Sequence, residues 1–356
     1  MRATTKHINC RNLTHNLQVL MAHAPNSQCV AVVKANAYGS EATAVYSALA
    51  SAHLFATASI EEAMALRAAG ADKPILLLEG PFEPSDIVLA DEHGFECMVA
   101  TATQLHWLVN ASVTFARVWF KYDTGMGRLG FQAQDAEQAM SQLLTRYAPS
   151  QIVLSTHFSS ADLPDAAITA VQIARFDAFA KQYPDCKQSL CNSAGILRFP
   201  EAHRDFIRPG IALYGASPFA ETQASDHDLR PVMTLKTRVL SVKHFLANDP
   251  IGYAQTYRMP TDGYIAICEI GYADGYSRFI PTGTPVVIKG KQYPLVGRVA
   301  MDMIAVLVDD SVGVGDAVIC WGESLPIEIV CEHAGTIPHQ LLTTVTERVK
   351  KCIQTA

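Results

Sequence analysis

The sequence predicts an α/β protein: a TIM-like (β/α)8 barrel over residues 1–229, followed by a mostly antiparallel β domain over residues 230–356. Three observations lead there. Short apolar runs alternate with helical patterns eight times over roughly 220 residues, the spacing of a (β/α)8 barrel. Lys34, Lys121, His157, Asn192, Ser193 and Arg208 fall at or just after the C-terminal ends of those runs, the face on which such barrels carry their active sites. After Arg230-Pro231 the pattern changes to strand-like runs separated by turns.

Residues 6–10 read as a short strand, and Leu13, Leu17, Leu20 and Met21 recur at helical spacing. The apolar run Cys29–Val33 is the first barrel strand, and an alanine-rich helix follows through Ala42–Ala52. Leu54–Ser59 is the second strand, followed by a helix over Glu61–Ala69. Pro74–Glu79, Glu96–Ala100, Val113–Tyr122 and Gln151–Phe158 are the third to sixth, and Gln188–Asn192 and Asp205–Arg208 complete the eight. In the second domain Thr234–Phe245, Tyr264–Ile270, Thr284–Ile288 and Ile304–Val308 read as strands. Pro281-Thr282-Gly283 and Lys289-Gly290-Lys291 read as turns, and Leu341–Cys352 is helical in composition.

The 356 residues suffice for two full-sized cores. Hydrophobic residues make up 49% and charged residues 17%, a balance that excludes a disordered chain. With a net charge of -6 and no long basic run, nucleic acid and anionic membranes are not expected partners. No apolar stretch reaches membrane-spanning length, and Met1–Lys6 lacks the apolar core of a signal peptide. The nine cysteines are scattered without a CxxC pair, which predicts reduced thiols in the cytoplasm and no metal site.

Lys34 ends the first barrel strand in the string Val33-Lys34-Ala35-Asn36-Ala37-Tyr38-Gly39. An amine held among apolar neighbours is desolvated, which favours the neutral form a Schiff base requires. A lysine that snorkels to water from a strand end is the alternative, and the strand alone leaves both open. The whole string resembles the pyridoxal-phosphate signature of alanine racemases. That resemblance implies that Lys34 holds pyridoxal 5'-phosphate and that Tyr38 binds its phosphate. The family pattern usually continues with His-Gly; here Ser40-Glu41 follow and should open the next helix.

Other strings carry the same resemblance. Lys121-Tyr122-Asp123-Thr124-Gly125-Met126-Gly127-Arg128-Leu129-Gly130 has glycines that let the backbone turn sharply, and an arginine suited to clamp a carboxylate. By resemblance Arg128 approaches the substrate carboxylate, and Lys121 is a candidate for carbamylation that steadies it. His157, in Thr156-His157-Phe158, resembles the histidine that lies against the cofactor ring. In Phe206-Ile207-Arg208-Pro209-Gly210-Ile211-Ala212-Leu213-Tyr214-Gly215, Gly210 and Ile211 can offer backbone N–H groups to a phosphate. Arg208 resembles the arginine that faces the pyridine nitrogen. A guanidinium there donates without giving up its proton, so the ring becomes a weaker electron sink. Asn192-Ser193 resembles the pair that contributes Ser193 to the phosphate.

The β domain supplies the rest. Tyr253, in Ile251-Gly252-Tyr253-Ala254-Gln255-Thr256-Tyr257, aligns with the family's catalytic tyrosine, with Ala254 where a glycine is common. Gly271-Tyr272-Ala273-Asp274-Gly275-Tyr276 and Gly297-Arg298-Val299-Ala300-Met301-Asp302-Met303 match further strings. Tyr272 then narrows the entrance, and the backbone around Met301 and Asp302 touches the substrate carboxylate. Near the C-terminus relatives carry Tyr-Glu where this chain has His339-Gln340. His339 can still donate to phosphate, but it is shorter, which implies some tolerance of serine beside alanine.

Together these strings imply an alanine racemase that interconverts L- and D-alanine, with supply of D-alanine as a peptidoglycan precursor and alanine breakdown both open as its role. Lys34 and Tyr253 would be bases on opposite faces of the α-carbon, meeting across a head-to-tail homodimer. Two rivals stand beside it. A related amino-acid decarboxylase would carry a reactive cysteine in the β domain, of which Cys331-Glu332-His333 is a faint echo in a helical stretch. A non-catalytic pyridoxal-phosphate barrel protein would lack residues 231–356 altogether.

Overall fold

The structure, a computed structural model, describes residues 2–355. Eight parallel strands close into a barrel: β2 (Gln28–Val32), β3 (Leu54–Thr57), β4 (Ile75–Leu77), β5 (Phe95–Val99), β6 (Val118–Lys121), β7 (Ile152–Ser155), β8 (Lys187–Ser189) and β9 (Phe206–Ile207). β9 returns to β2 through Gln28↔Phe206 and Cys29↔Ile207, which closes the ring. Each strand is covered on both faces, so all of β5 and four of the five residues of β2 are buried. That burial explains why they read as unbroken apolar runs. The fifth strand is shorter than Val113–Tyr122, because its partners on β5 and β7 begin only at Val118.

Before the barrel, β1 (Thr5–Asn9) leads into a helix over Cys10–His23. Asn9 caps it by accepting from the N–H groups of Arg11 and Asn12. Leu13, Leu17 and Leu20 are buried and Met21 half-buried. The helix expected through Ala42–Ala52 is broken: an α turn over Ala42–Val45 tightens into a 3-10 turn over Tyr46–Leu49. Thr43 and Val45 are β-branched and favour helix weakly.

The remaining strands are β10 (Met233–Phe245), β11 (Pro250–Ile251), β12 (Tyr257–Arg258), β13 (Gly263–Cys268), β14 (Pro285–Ile288), β15 (Lys291–Val296), β16 (Ile304–Val308), β17 (Ala317–Trp321) and β18 (Lys350–Gln354). They form an eight-stranded sheet in the order β13-β16-β15-β14-β17-β10-β1-β18, with β11 and β12 as a separate hairpin. β10 pairs with β17 through Leu235–Arg238 and with β13 from Val239 onward, so this sheet also curls shut. Every pairing in it is antiparallel except β1 with β18.

Two expectations change here. The first strand, β1, lies between β10 and β18, so the sheet domain draws on both ends of the chain and not on residues 230–356 alone. The stretch Leu341–Cys352 is not one helix: a helix over Pro338–Thr344 ends at Val345, and the chain extends into β18. The β-branched run Thr343–Thr346 weakens the helix, and the open edge of β1 offers a full ladder to Lys350–Gln354. The short helix is wedged between the domains. A Cβ on Gly39 would stand 2.3 Å from the Leu342 carbonyl, and one on Gly275 would stand 2.2 Å from the Thr344 carbonyl.

Candidate active site

A cavity of about 960 Å3 opens at the C-terminal ends of the barrel strands. Lys34, Tyr38, Lys121, Arg128, His157, Asn192, Ser193, Arg208, Gly210, Ile211 and His339 all line it. The strands deliver them: Lys121 ends β6, Arg208 follows β9 directly, and Lys34 and His157 stand two residues beyond β2 and β7.

The turn after β2 is unusual. Ala35, Asn36, Ala37 and Tyr38 all have φ between 52° and 54°, and Gly39 continues at 76°. An L-residue in this left-handed conformation costs roughly 1–2 kcal/mol, so a run of them needs outside anchors. Glu62 supplies one, accepting from the N–H groups of Ala35 at 2.7 Å and Ala58 at 2.9 Å. Lys6 supplies another, donating to the Gly39 carbonyl at 3.0 Å. Ser40 and Glu41 do not open the next helix. Ala42 does, and Glu41 precedes it with φ 69°.

This turn places Tyr38 over the site. Its ring stacks on Tyr214 at 4.5 Å, and the Tyr214 hydroxyl donates to the Val32 carbonyl at 2.8 Å. Burial pushes the Tyr38 phenol up to about 12, so it remains a neutral donor. Gly210 has no room for a side chain, since a Cβ there would come within 2.5 Å of the Tyr38 hydroxyl oxygen. Ser193 Oγ accepts from the N–H groups of Gly210 at 2.9 Å and Ala212 at 3.3 Å. Hydroxyls and backbone nitrogens thus converge on one end of the cavity. Asn192 takes a different part, its side chain capping the helix Ser193–Arg198 by accepting from the Gly195 N–H at 2.9 Å. His339 sits beside Tyr38, with ring centroids 5.7 Å apart. His339 keeps an exposed side, yet the packing around its ring first, and then the nearby Lys34, hold its imidazole below the usual range.

Cations gather at the other end. Arg208 is buried and donates to Ser189 Oγ at 2.5 Å and to the carbonyls of Thr156 at 2.6 Å and Leu190 at 3.2 Å. Burial brings it down to about 10, which still leaves a cation at neutral pH. Burial, followed by Arg208 and Arg128, pushes Lys121 down to about 8. Burial and the same arginines, with Lys121, push His157 well down, so its imidazole is neutral at pH 7. Arg128 stands on a loop whose Asp123 carboxylate accepts from Gly125, Met126 and Gly127 at 2.8–2.9 Å. Ser155 Oγ lines the same cavity, buried and without a partner.

Lys34 itself corrects the expectation of desolvation. Its side chain is 37% exposed to the cavity, with Nζ 3.7 Å from Glu79. The strongly desolvated lysine of this site is Lys121. Glu79, Glu62 and Ser155 have no place in the sequence motifs, and Tyr214 stands in one without an assigned role. The only signal for Glu79 is its position just beyond a barrel strand, the rule that finds Lys34. Cys331 also lines the cavity but is buried on the helix Ile327–Ala334, and burial raises its thiol to about 12. It lacks the exposed, electropositive setting of a reactive cysteine.

Tyr253, Tyr272, Met301 and Asp302 do not line this cavity. They share a different surface on the sheet domain. Tyr272 and Ala273 donate to the carbonyls of Ala300 and Met301, both at 3.0 Å, and a Cβ on Gly252 would lie 4.0 Å from the Arg298 nitrogen. Tyr253 is 64% exposed and Met301 52%. Ala254 has φ 56°, a conformation that glycine reaches without steric cost. The Asp302 carboxylate is engaged by Arg348, with Arg2 at 4.0 Å.

Comparison with known proteins supplies a family. Residues 8–218 match the model for "Alanine racemase, N-terminal domain", and residues 232–353 match "Alanine racemase, C-terminal domain". A curated alanine racemase from Pectobacterium atrosepticum is 43% identical over 353 residues, covering 98% of each chain. The structure of alanine racemase from Acinetobacter baumannii superposes with a TM-score of 0.96 at 36% identity, covering 99% of this chain and all of the other. That of alanine racemase from Bartonella henselae, with covalently bound pyridoxal phosphate, gives 0.89 at 28% identity, covering 99% and 100%.

Proposed function

This chain belongs to the alanine racemase family, and from that premise we propose that it interconverts L- and D-alanine with pyridoxal 5'-phosphate and two bases, Lys34 and Tyr253. The observation that carries the reading is the convergence of Lys34, Tyr38, Ser193, Gly210 and Arg208 on one cavity. The residues present fit the cofactor. Tyr38, Ser193, Gly210 and Ile211 are of the chemistry that holds a phosphate. The missing side chain at Gly210 leaves room beside the Tyr38 hydroxyl. Arg208 is a fixed cation for the ring nitrogen, and Lys34 is the amine. When bound, the cofactor supplies an aldehyde that links to an amine and a ring that spreads the charge left when the α-proton departs.

The chain's own groups do the rest. Arg128 binds the substrate carboxylate, and the backbone around Met301 and Asp302 faces it from the sheet domain. His157, kept neutral, covers the ring face without adding charge. Lys34 exchanges a proton on the D face, and Tyr253 on the L face. Two bases suit the reaction because one alone exchanges the proton with retention more readily than it racemises. Exposure of Tyr253, Tyr272 and Met301 on a surface away from the cavity supports a homodimer in which the sheet domain of one copy closes the barrel of the other. On this reading residues 1–229 carry the cofactor, and 230–356 carry the second base and the entrance residue Tyr272.

Lys121 is the carbamylation site. Near pH 8 a large share of its amine is neutral, and addition of CO2 with loss of one proton gives an anion between Arg128 and Arg208. His339, shorter than the tyrosine of relatives, leaves room for serine beside alanine. The substrates are small amino acids met in the cytoplasm. Among the described residues no helix is long and apolar enough to cross a membrane.

The test is incubation of the cofactor-loaded protein with L-alanine in D2O, following the α-proton by NMR and the D-isomer by chiral chromatography. Deuterium uptake together with D-alanine is expected. Uptake without D-alanine would mean that only the base on the L face works, and would overturn the two-base reading. No uptake would remove alanine as the substrate.

A further inference from the structure

Glu41 occupies an improbable place for its chemistry. It is buried, its φ is 69°, and it stands two residues beyond the left-handed turn that carries Tyr38. Its carboxylate lies 2.6 Å from Lys6 Nζ and 2.8 Å from Lys351 Nζ. Those lysines are opposite each other in the parallel pair β1–β18, where two like charges would repel without an anion between them. Lys6 is almost wholly buried and, beside its ion pair with Glu41, donates a hydrogen bond to the Gly39 carbonyl. The Glu41 N–H donates to the Asn36 carbonyl at 3.0 Å, and Asn36 Oδ1 accepts from the Ala42 N–H at 2.8 Å. Burial pushes the Glu41 carboxyl up, but the bonds from Lys351 and Lys6 outweigh it and hold the group below the usual carboxylate range.

We propose that Glu41 is a positioning residue for the cofactor site: held between Lys6 and Lys351, it latches the turn 35–39 to the sheet domain and so fixes the Tyr38 hydroxyl against Gly210. Nothing local to Ala35-Asn36-Ala37-Tyr38 favours positive φ at every residue, and a strained segment persists only where its surroundings over-determine it. The latch spans the two domains, since Lys6 and Lys351 stand on the sheet while the turn belongs to the barrel. A buried anion between two cations is a costly way to hold a surface loop, and losing the anion leaves Lys6 without its counter-charge. The same arrangement makes sense if a single hydroxyl must stay in place.

The proposal rests on the reading that this cavity binds pyridoxal phosphate, and the two can fail separately. The full-length protein is stripped of cofactor and titrated with pyridoxal phosphate, followed by absorbance and fluorescence, as wild type, Glu41→Gln, Tyr38→Phe and the double variant. Expected is an affinity about tenfold weaker for Glu41→Gln, and little further loss when the same change is made on Tyr38→Phe. Such non-additivity marks action through the Tyr38 hydroxyl; a purely structural contribution would weaken both backgrounds alike. Equal losses in the two backgrounds, or an unchanged affinity, would overturn the proposal. If Glu41→Gln does not fold, Lys351→Met, at the solvent side of the latch, enters the same cycle with the same expected sign, and additivity there overturns it. A wild-type protein that takes up no cofactor would bring down the underlying reading, and the latch with it.

Discussion

The cavity at the barrel mouth and the Tyr253 face of the sheet domain are built in opposite ways. The cavity is lined from within one chain: Lys34, Lys121, His157 and Arg208 stand at strand ends, and Arg208 and Ser193 are buried with named partners. The sheet-domain face is held by loops and leaves large side chains in the open, with Tyr253 at 64% exposure and Phe279 at 88%. On the proposed reading, one region is the cofactor pocket and the other is half of a site, with its second half on another molecule. The difference implies that cofactor binding and racemisation separate cleanly by mutation.

Replacing Lys34 by Ala strikes both. Racemisation in either direction should fall by about 10^4-fold or more, with loss of the visible absorbance of the bound cofactor. Replacing Tyr253 by Phe should strike one alone. Racemisation falls by about 10^3-fold while the absorbance stays, and α-proton exchange with D-alanine in D2O persists. If Tyr253→Phe also loses the cofactor, the two regions are not independent and the comparison breaks. Mixing the two dead variants sharpens it further. In a symmetric dimer each mixed pair has one intact site, so about a quarter of wild-type activity should return. No recovery after exchange of subunits would place Lys34 and Tyr253 on the same chain.

The two regions also differ in how far the sequence exposes them. Barrel strands buried on both faces read as apolar runs, and their ends locate Lys34, Lys121, His157 and Arg208 without any structure. The turn 35–38 does not show itself, because Ala-Asn-Ala-Tyr contains no glycine to announce positive φ; its anchors, Glu62 and Lys6, are distant in sequence. Lys34 could not be read as exposed and paired with Glu79, since both conditions depend on the cavity's shape. On the sheet side, β18 is hidden by a helix-forming composition that pairing with β1 overrides. Tyr253 stands out only by resemblance, as a lone exposed tyrosine has no signature of its own.

The cations of the cavity make a smaller prediction about stability. Lys121 titrates at about 8 when folded, below its value in the unfolded chain. Between pH 8 and about 10.4 the unfolded chain therefore binds the extra proton, and this residue's contribution to stability rises with pH through that window. Below pH 8 the ammonium is charged in both states, and the full cost of burying it beside Arg208 and Arg128 remains. In CO2-free buffer the urea midpoint of wild type should gain on that of Lys121→Met as pH goes from 7.5 to 9.5. Parallel curves would show that Lys121 is not buried as a cation. Restoring bicarbonate should raise the wild-type midpoint at neutral pH and leave Lys121→Met unmoved.

The smallest effect lies where the two regions meet. His339 is on the helix wedged between the domains, beside Tyr38, and its neutral imidazole adds no charge to the phosphate end. What it changes is space. A tyrosine at this position extends further toward the substrate, and a pocket distinguishes a side chain that differs by one hydroxyl only weakly unless something clashes or is left unpaired. His339→Tyr should therefore lower the serine-to-alanine ratio of kcat/KM by a few-fold, mostly through slower serine turnover, with alanine turnover nearly unchanged. A ratio that stays the same would mean that serine is admitted or refused by the sheet-domain side, at Tyr272 and Met301. Substrate choice would then belong to the half of the site that a single chain leaves open.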